Sequence, residues 1–105
     1  MTEYVSIAKV SEIPEGEARI FEVAGRSVAI CHISGEDCPV ALENRCSHDD
    51  GPLGEGTLRG ASIECPRHGA LFDAHSGAAK SLPAVRGVAT YAVRVEGDEI
   101  QIALD

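Results

Sequence analysis

The chain has 105 residues, and its 17 acidic and 9 basic side chains give a formal net charge of −8. This length supports one hydrophobic core, and the acidic balance excludes a nucleic-acid-binding role, which needs a basic surface. No stretch reaches the roughly eighteen apolar residues of a membrane span. The N-terminal run MTEYVSIAKV also lacks the features of a secretory signal. We therefore expect a soluble, cytoplasmic protein that does not contact a membrane.

Short extended runs between turn residues make up most of the sequence, and several are rich in valine and isoleucine. No segment of the sequence has apolar residues at helical spacing over three turns. Hairpin turn chemistry occurs at Ala24 and Gly25 and again around Gly97. The predicted strands, in chain order, are 4–8, 18–23, 27–33, 40–43, 61–64, 70–73, 88–95 and 99–103. The sequence therefore predicts an all-β fold.

Two runs between predicted strands each contain one cysteine and one histidine. NRCSHDDGPLGEG contains Cys46 and His48, and ECPRHGALF contains Cys65 and His68, with sixteen residues between the pairs. The intervening TLRGASIEC is predicted to form a hairpin that turns at Arg59 and Gly60. A small sheet of this kind places the two loops side by side.

Cysteine thiolate and neutral imidazole bind either iron or zinc, so the spacing has to distinguish the two metals. A zinc finger or ribbon usually opens with two like ligands separated by about two to four residues. Here each loop pairs unlike ligands, which suits a two-iron site with both thiolates on one iron and both imidazoles on the other. A structural zinc site with two cysteines and two histidines remains the alternative.

The pattern CxH, sixteen residues, CxxH, with Gly51, Pro66 and Gly69 in the loops, resembles the Rieske domain family over nearly the whole chain. The resemblance implies an antiparallel β-sandwich with a small cluster-binding subdomain formed by two loops. We expect one domain over residues 1–105, with this subdomain at about 44–84. The segment SLPAV around Pro83 resembles the loop that covers the cluster in this family.

The same resemblance implies one [2Fe-2S] cluster per chain, bound by Cys46, His48, Cys65 and His68. The two cysteines would hold the buried iron and the two histidines the iron nearer the surface. With two ferric ions, two sulfides and two thiolates the oxidised centre is formally neutral. It therefore accepts an electron more readily than a cluster with four cysteine ligands.

High-potential Rieske proteins of respiratory complexes carry serine and tyrosine hydroxyls where Ala70 and Phe72 stand here. They also join the two cluster loops by a disulfide, whereas Arg67 occupies the corresponding position of the second loop. Without those hydroxyls, fewer hydrogen bonds stabilise the reduced cluster. We therefore expect a midpoint potential at the low end of the Rieske range, about −100 mV.

Two cysteines and two histidines remain outside the motif. Cys38 is offset from the position opposite Cys31 in the predicted hairpin, so we expect two free thiols, with Cys31 buried. His32 and His75 each stand alone in the sequence and are predicted to be structural residues near the surface. A second iron site made of two histidines and a carboxylate is therefore not expected.

The resemblance implies a one-electron carrier rather than an enzyme. Such a ferredoxin component, expected as a monomer, passes electrons from a flavin-dependent reductase to a ring-hydroxylating, non-haem iron oxygenase. The sequence has no serine, histidine and acid set and no phosphate-binding glycine loop. The alternatives are a stand-alone Rieske protein of another redox or iron–sulfur assembly pathway, and a structural zinc module.

Overall fold

The computed structural model describes residues 4–36, 38–45, 53–66, 69–81 and 87–103. Within these ranges the chain forms nine antiparallel strands and two single-turn 3₁₀ segments, Val10–Glu12 and Leu53–Glu55. The strands are β1 (Tyr4–Lys9), β2 (Glu17–Val23), β3 (Arg26–His32), β4 (Val40–Glu43), β5 (Thr57–Arg59), β6 (Ser62–Glu64), β7 (Leu71–Asp73), β8 (Thr90–Glu96) and β9 (Glu99–Ala103). No helix in these ranges has the length and hydropathy needed to cross a membrane.

The all-β prediction is confirmed, and all eight predicted strands are present with ends within two residues of those expected. The ninth strand, β5, forms the predicted hairpin with β6, but the expected turn position is wrong by one residue. Arg59 pairs with Ser62, so the chain turns at Gly60 and Ala61 and not at Arg59 and Gly60. The turn between β2 and β3 has positive φ at both Ala24 (51°) and Gly25 (80°). This is the backbone that a tight two-residue hairpin of type I′ requires.

Six strands form one antiparallel sheet in the order β1-β9-β8-β4-β3-β2. Among the described residues, its two three-stranded halves are joined where β4 and β8 pair, at Ala41 with Tyr91 and Leu42 with Thr90. Side chains of β3 and β9 pack in one core cluster although β4 and β8 separate these strands in the sheet. The halves therefore face each other as a sandwich. The buried members of the cluster are Ile13, Val23, Val28, Ile30, Ala41, Ile100 and Ile102.

The remaining strands form a small sheet in the order β5-β6-β7. Its side chains share a second core cluster with Cys31 of β3 and Leu42 of β4. In β3, Val28 and Ile30 face the sandwich core while Cys31 belongs to the second cluster, so this strand is buried on both faces. Its uninterrupted apolar run, VAIC, is what such a position requires. The small sheet is therefore packed against the sandwich through β3 and β4.

Candidate metal centre

The second motif loop leaves β6 at Cys65 and returns to β7. The Cys65 N–H donates to the Ala70 carbonyl at 2.7 Å, and the Gly69 N–H donates to the Cys65 carbonyl at 3.1 Å. Gly69 has φ of 74°, a conformation that glycine adopts without steric cost. Cys65 is therefore held in a closed turn, with 1% of its surface exposed. Arg67 and His68 lie outside the described residues.

The first motif loop leaves β4 and ends at the 3₁₀ segment Leu53–Glu55. Leu53 is fully buried and belongs to the same core cluster as Cys65. A Cβ atom on Gly56 would overlap the carbonyl oxygen of Glu64, the residue before Cys65. The backbone after the first loop therefore lies directly against the backbone before the second. Cys46 and His48 lie outside the described residues, as do Asp50 and Gly51.

The residues on either side of the predicted covering loop are hydrogen-bonded to β7 and to β4. The Lys80 N–H donates to the Leu71 carbonyl at 2.7 Å, and Ser81 Oγ accepts from the Leu71 N–H at 3.0 Å. Beyond the loop, the Glu43 N–H donates to the Ala89 carbonyl at 2.8 Å, just before the first motif loop. Pro83 lies outside the described residues. All three loops thus begin and end close to the small sheet and β4.

Of the four predicted ligands, the described ranges include Cys65 alone, and within them no three metal-binding side chains come together. The Cys65 sulfur is buried and makes no hydrogen bond to another described residue. A buried sulfur at the end of a closed turn, without a competing partner there, suits a thiolate ligand of a metal centre. The described part of the donor set therefore fits an iron–sulfur cluster.

Ala70 and Phe72 flank the turn on its β7 side. Both are fully buried in the core cluster that contains Cys65. Neither side chain has a hydroxyl, so neither adds a hydrogen bond to the polar groups at the centre. The structure thus adds that the two positions without hydroxyls are also buried beside Cys65.

The two histidines outside the motif have protein partners. The His32 ring donates through Nδ1 to the Ile13 carbonyl at 2.7 Å. His75 Nε2 lies 2.8 Å from Glu36 Oε1, and this contact joins the turn after β7 to the loop before β4. These contacts fit the structural roles predicted for both residues.

Comparison with known proteins identifies the class of this centre. Residues 3–92 match the Rieske [2Fe-2S] domain model, and the chain therefore belongs to the Rieske [2Fe-2S] domain family. It is 35% identical over 105 residues to the ferredoxin component of the naphthalene 1,2-dioxygenase system of Pseudomonas aeruginosa, with 99% of each chain covered. Family and relatives together make the chain a ferredoxin with a [2Fe-2S] cluster, an electron carrier rather than an enzyme. The zinc alternative is excluded.

Solved structures show the same fold. The ferredoxin of carbazole 1,9a-dioxygenase from Nocardioides aromaticivorans IC177 aligns with a TM-score of 0.90 and 33% identity, over 97% of this chain and 98% of that one. The complex of reduced oxygenase and oxidised ferredoxin in carbazole 1,9a-dioxygenase contains a chain with a TM-score of 0.87 and 29% identity, over 95% and 92% of the two chains. The Rieske-like sandwich expected from the sequence is therefore confirmed.

The two cysteines outside the motif are free thiols, as predicted, and they differ in accessibility. Burial raises the pKa of the Cys31 thiol to about 12. Partial burial and the Glu36 carboxylate raise the pKa of the exposed Cys38 thiol. At pH 8, iodoacetamide should therefore modify Cys38 of the cluster-loaded protein more slowly than it modifies a free cysteine, and leave Cys31 unmodified until the protein unfolds. Peptide mass mapping measures this, and alkylation of Cys31 in the folded protein would contradict it.

Sequence reasoning missed two residues that shape the site, Asn44 and Gly56. Asn44 Oδ1 accepts a hydrogen bond from the Gly54 N–H across the base of the first loop. Gly56 lies directly against the Glu64 carbonyl, at the base of the second loop. Asparagine and glycine are common in loops for many reasons, so neither residue type indicates such a contact.

Proposed function

We propose that Cys46 and Cys65 bind one iron of the cluster and that His48 and His68 bind the other. The cluster, when bound, supplies one-electron transfer. Two features support this ligand set: the paired spacing of unlike ligands in the sequence, and the buried Cys65 sulfur at the point where the two loop bases touch. In the proposal, residues 1–105 form one domain, and its cluster-binding subdomain spans about 44–84.

The burial of Cys65 also supports an orientation for the centre. Its sulfur lies in the core cluster beneath the small sheet, on the protein side of the loops. In our proposal the cysteine-bound iron therefore faces the interior, and the histidine-bound iron lies nearer the surface. The imidazole edges of His48 and His68 then form the shortest route for an electron to leave the protein.

We further propose that the chain passes electrons from a flavin-dependent reductase to the terminal oxygenase of a ring-hydroxylating dioxygenase, as a cytoplasmic monomer. The observation that carries this proposal is the end-to-end similarity to a dioxygenase ferredoxin component. The similarity to a ferredoxin chain in a complex with its oxygenase supports the oxygenase partner. The net charge of −8 favours docking to basic patches on partner proteins.

The ligand set is tested by the EPR spectrum of the dithionite-reduced, purified protein, which reports metal, cluster type and ligand set together. The partner is tested with the purified reductase and terminal oxygenase of the naphthalene 1,2-dioxygenase system. Catalytic amounts of the cluster-loaded chain should restore product formation, and added salt should slow it. An intact cluster with no turnover would favour the alternative, a stand-alone Rieske protein of another redox or iron–sulfur assembly pathway.

Ala70 and Phe72, the apolar pair after the second loop, allow a prediction about the midpoint potential. The double substitution Ala70→Ser and Phe72→Tyr should raise the midpoint potential by about 130 mV, at roughly 1.5 kcal/mol per added hydrogen bond and about 60 mV per 1.4 kcal/mol for one electron. The added hydroxyls favour the reduced state because it is the more negative one. Redox titration followed by EPR measures the shift.

The control for this shift is Ala41→Ser, which places a hydroxyl at another buried position, in the sandwich core. Its potential should equal that of the wild type. An unchanged potential in the double variant would contradict the assignment of these two positions to the cluster surroundings.

A further inference from the structure

The Asn44 side chain bonds at both ends of its amide. Oδ1 accepts from the Gly54 N–H at 2.6 Å, and Nδ2 donates to Ser27 Oγ at 2.9 Å. Its own backbone N–H donates to the Ser27 carbonyl at 3.1 Å. A backbone N–H is only a donor, so the amide orientation is fixed by Gly54. Asn44 therefore links the end of the first loop to the start of β3, next to the turn between β2 and β3.

Gly54 is packed so closely that a side chain there would force its neighbours, Ile20 above all, to shift. A Cβ atom on this residue would lie 2.5 Å from Ile20 Cγ1, 3.0 Å from Asn44 Oδ1 and 3.2 Å from Ala29 Cβ. Gly54 and its neighbour Leu53 are both buried. The Gly54 N–H therefore faces the Asn44 amide in a tightly packed place, and removal of Asn44 Oδ1 leaves a buried donor unpaired.

The two bonded residues enclose the first half of the ligand set. Asn44 is two residues before Cys46 and Gly54 is six residues after His48. The second loop is closed differently, by backbone hydrogen bonds of Cys65 itself to Gly69 and Ala70. A bond that joins the ends of a loop reduces the number of conformations the loop samples. Metal ligands need such external support to keep their geometry.

We propose that Asn44 is a positioning residue, whose side chain closes the first ligand loop and so fixes Cys46 and His48 at the cluster. This inference rests on the proposed ligand set. In the proposal Asn44 does not bind the cluster itself. It acts through its hydrogen bond to Gly54 on the loop that lies between Asn44 and Gly54. Loss of the clamp should therefore affect how tightly and how uniformly the cluster is held more than it affects the stability of the sandwich.

The test compares Asn44→Ala and Asn44→Asp in the cluster-loaded protein. Asn44→Ala removes the acceptor for the Gly54 N–H, and its cluster should bleach about tenfold faster with a chelator present, as expected for one lost buried hydrogen bond. Its reduced EPR signal should also broaden because the ligands take up a wider range of positions. Asn44→Asp keeps an acceptor oxygen and should restore a cluster lifetime near that of the wild type.

Gln101→Ala is the matched control. Gln101 is also a half-buried amide that bonds at both ends, to Arg94 Nε at 2.6 Å and Ser6 Oγ at 3.1 Å, but it lies on β9, in the sandwich. Its cluster lifetime and EPR line width should match the wild type. Ser27→Ala, which removes only the outer support of the amide, should give an intermediate lifetime and serves if Asn44→Ala does not fold. Circular dichroism checks that each variant is folded.

The outcomes separate the two proposals. A wild-type protein whose EPR spectrum lacks histidine ligation would overturn the ligand set. A wild-type protein with the expected spectrum, together with an Asn44→Ala variant that bleaches and broadens no more than Gln101→Ala, would overturn the clamp alone. Faster bleaching of Asn44→Ala that Asn44→Asp reverses would support it.

Discussion

Substitution of Cys65 by alanine is expected to abolish cluster binding, whereas the same substitution of Cys31 should leave the cluster in place. The two residues are closely matched, because both are buried cysteines in one core cluster, with 1% and 0% of their surface exposed. Only Cys65 lies in the motif and at the base of both loops. Iron content and visible absorbance of the two purified variants measure the difference directly.

The comparison separates a ligand from a packing residue. Each alanine removes the same sulfur atom from the same core, so the loss of packing should be similar, at about 1 kcal/mol of unfolding free energy. In the proposed ligand set, Cys65→Ala also removes an anionic ligand of the cluster, and within the described ranges no group of three metal-binding side chains offers another site. Full iron content in Cys65→Ala, or equal loss of iron in both variants, would contradict the ligand role.

The strands of this fold could be predicted from the sequence because their signals are local. The apolar run of β3 and the turn at Ala24 and Gly25 each depend on neighbouring residues, and the structure has both as expected. The pairing of Ala41 with Tyr91 could not be predicted. It joins positions fifty residues apart, and no feature of either strand specifies the other as its partner.

The candidate site shows the same division. The proposed ligand residues stand in two short motifs, and their type and spacing were enough to predict the cofactor, which the family match confirms. The contacts that bring the loops together, Asn44 with Gly54 and Gly56 with Glu64, depend on the path of the chain in three dimensions. The apolar environment of Cys65 could be predicted in part. The motif identified Ala70 and Phe72 as residues without hydroxyls, whereas their burial depends on the packing of the small sheet on β3.

The packing of the two cores also explains how a protein of this size can support the metal centre. The sandwich core and the core beneath the small sheet are separate clusters that meet at β3. Two of the loop bases are tied to this junction, through Leu53 and Cys65. The bases of these two loops therefore rest on a strand that is buried on both faces.

His68→Cys is expected to lower the midpoint potential by about 150 mV. A four-cysteine cluster lies near −400 mV and this centre is expected near −100 mV, so each of the two replaced imidazoles accounts for roughly half of the 300 mV difference. The physical reason is charge: an added thiolate makes the cluster more negative and the incoming electron less favourable. Redox titration measures the shift. His75→Cys is the matched control, because His75 is an exposed histidine paired with Glu36, and its potential should stay at the wild-type value. A His68→Cys protein with an intact cluster and an unchanged potential would show that His68 does not bind iron.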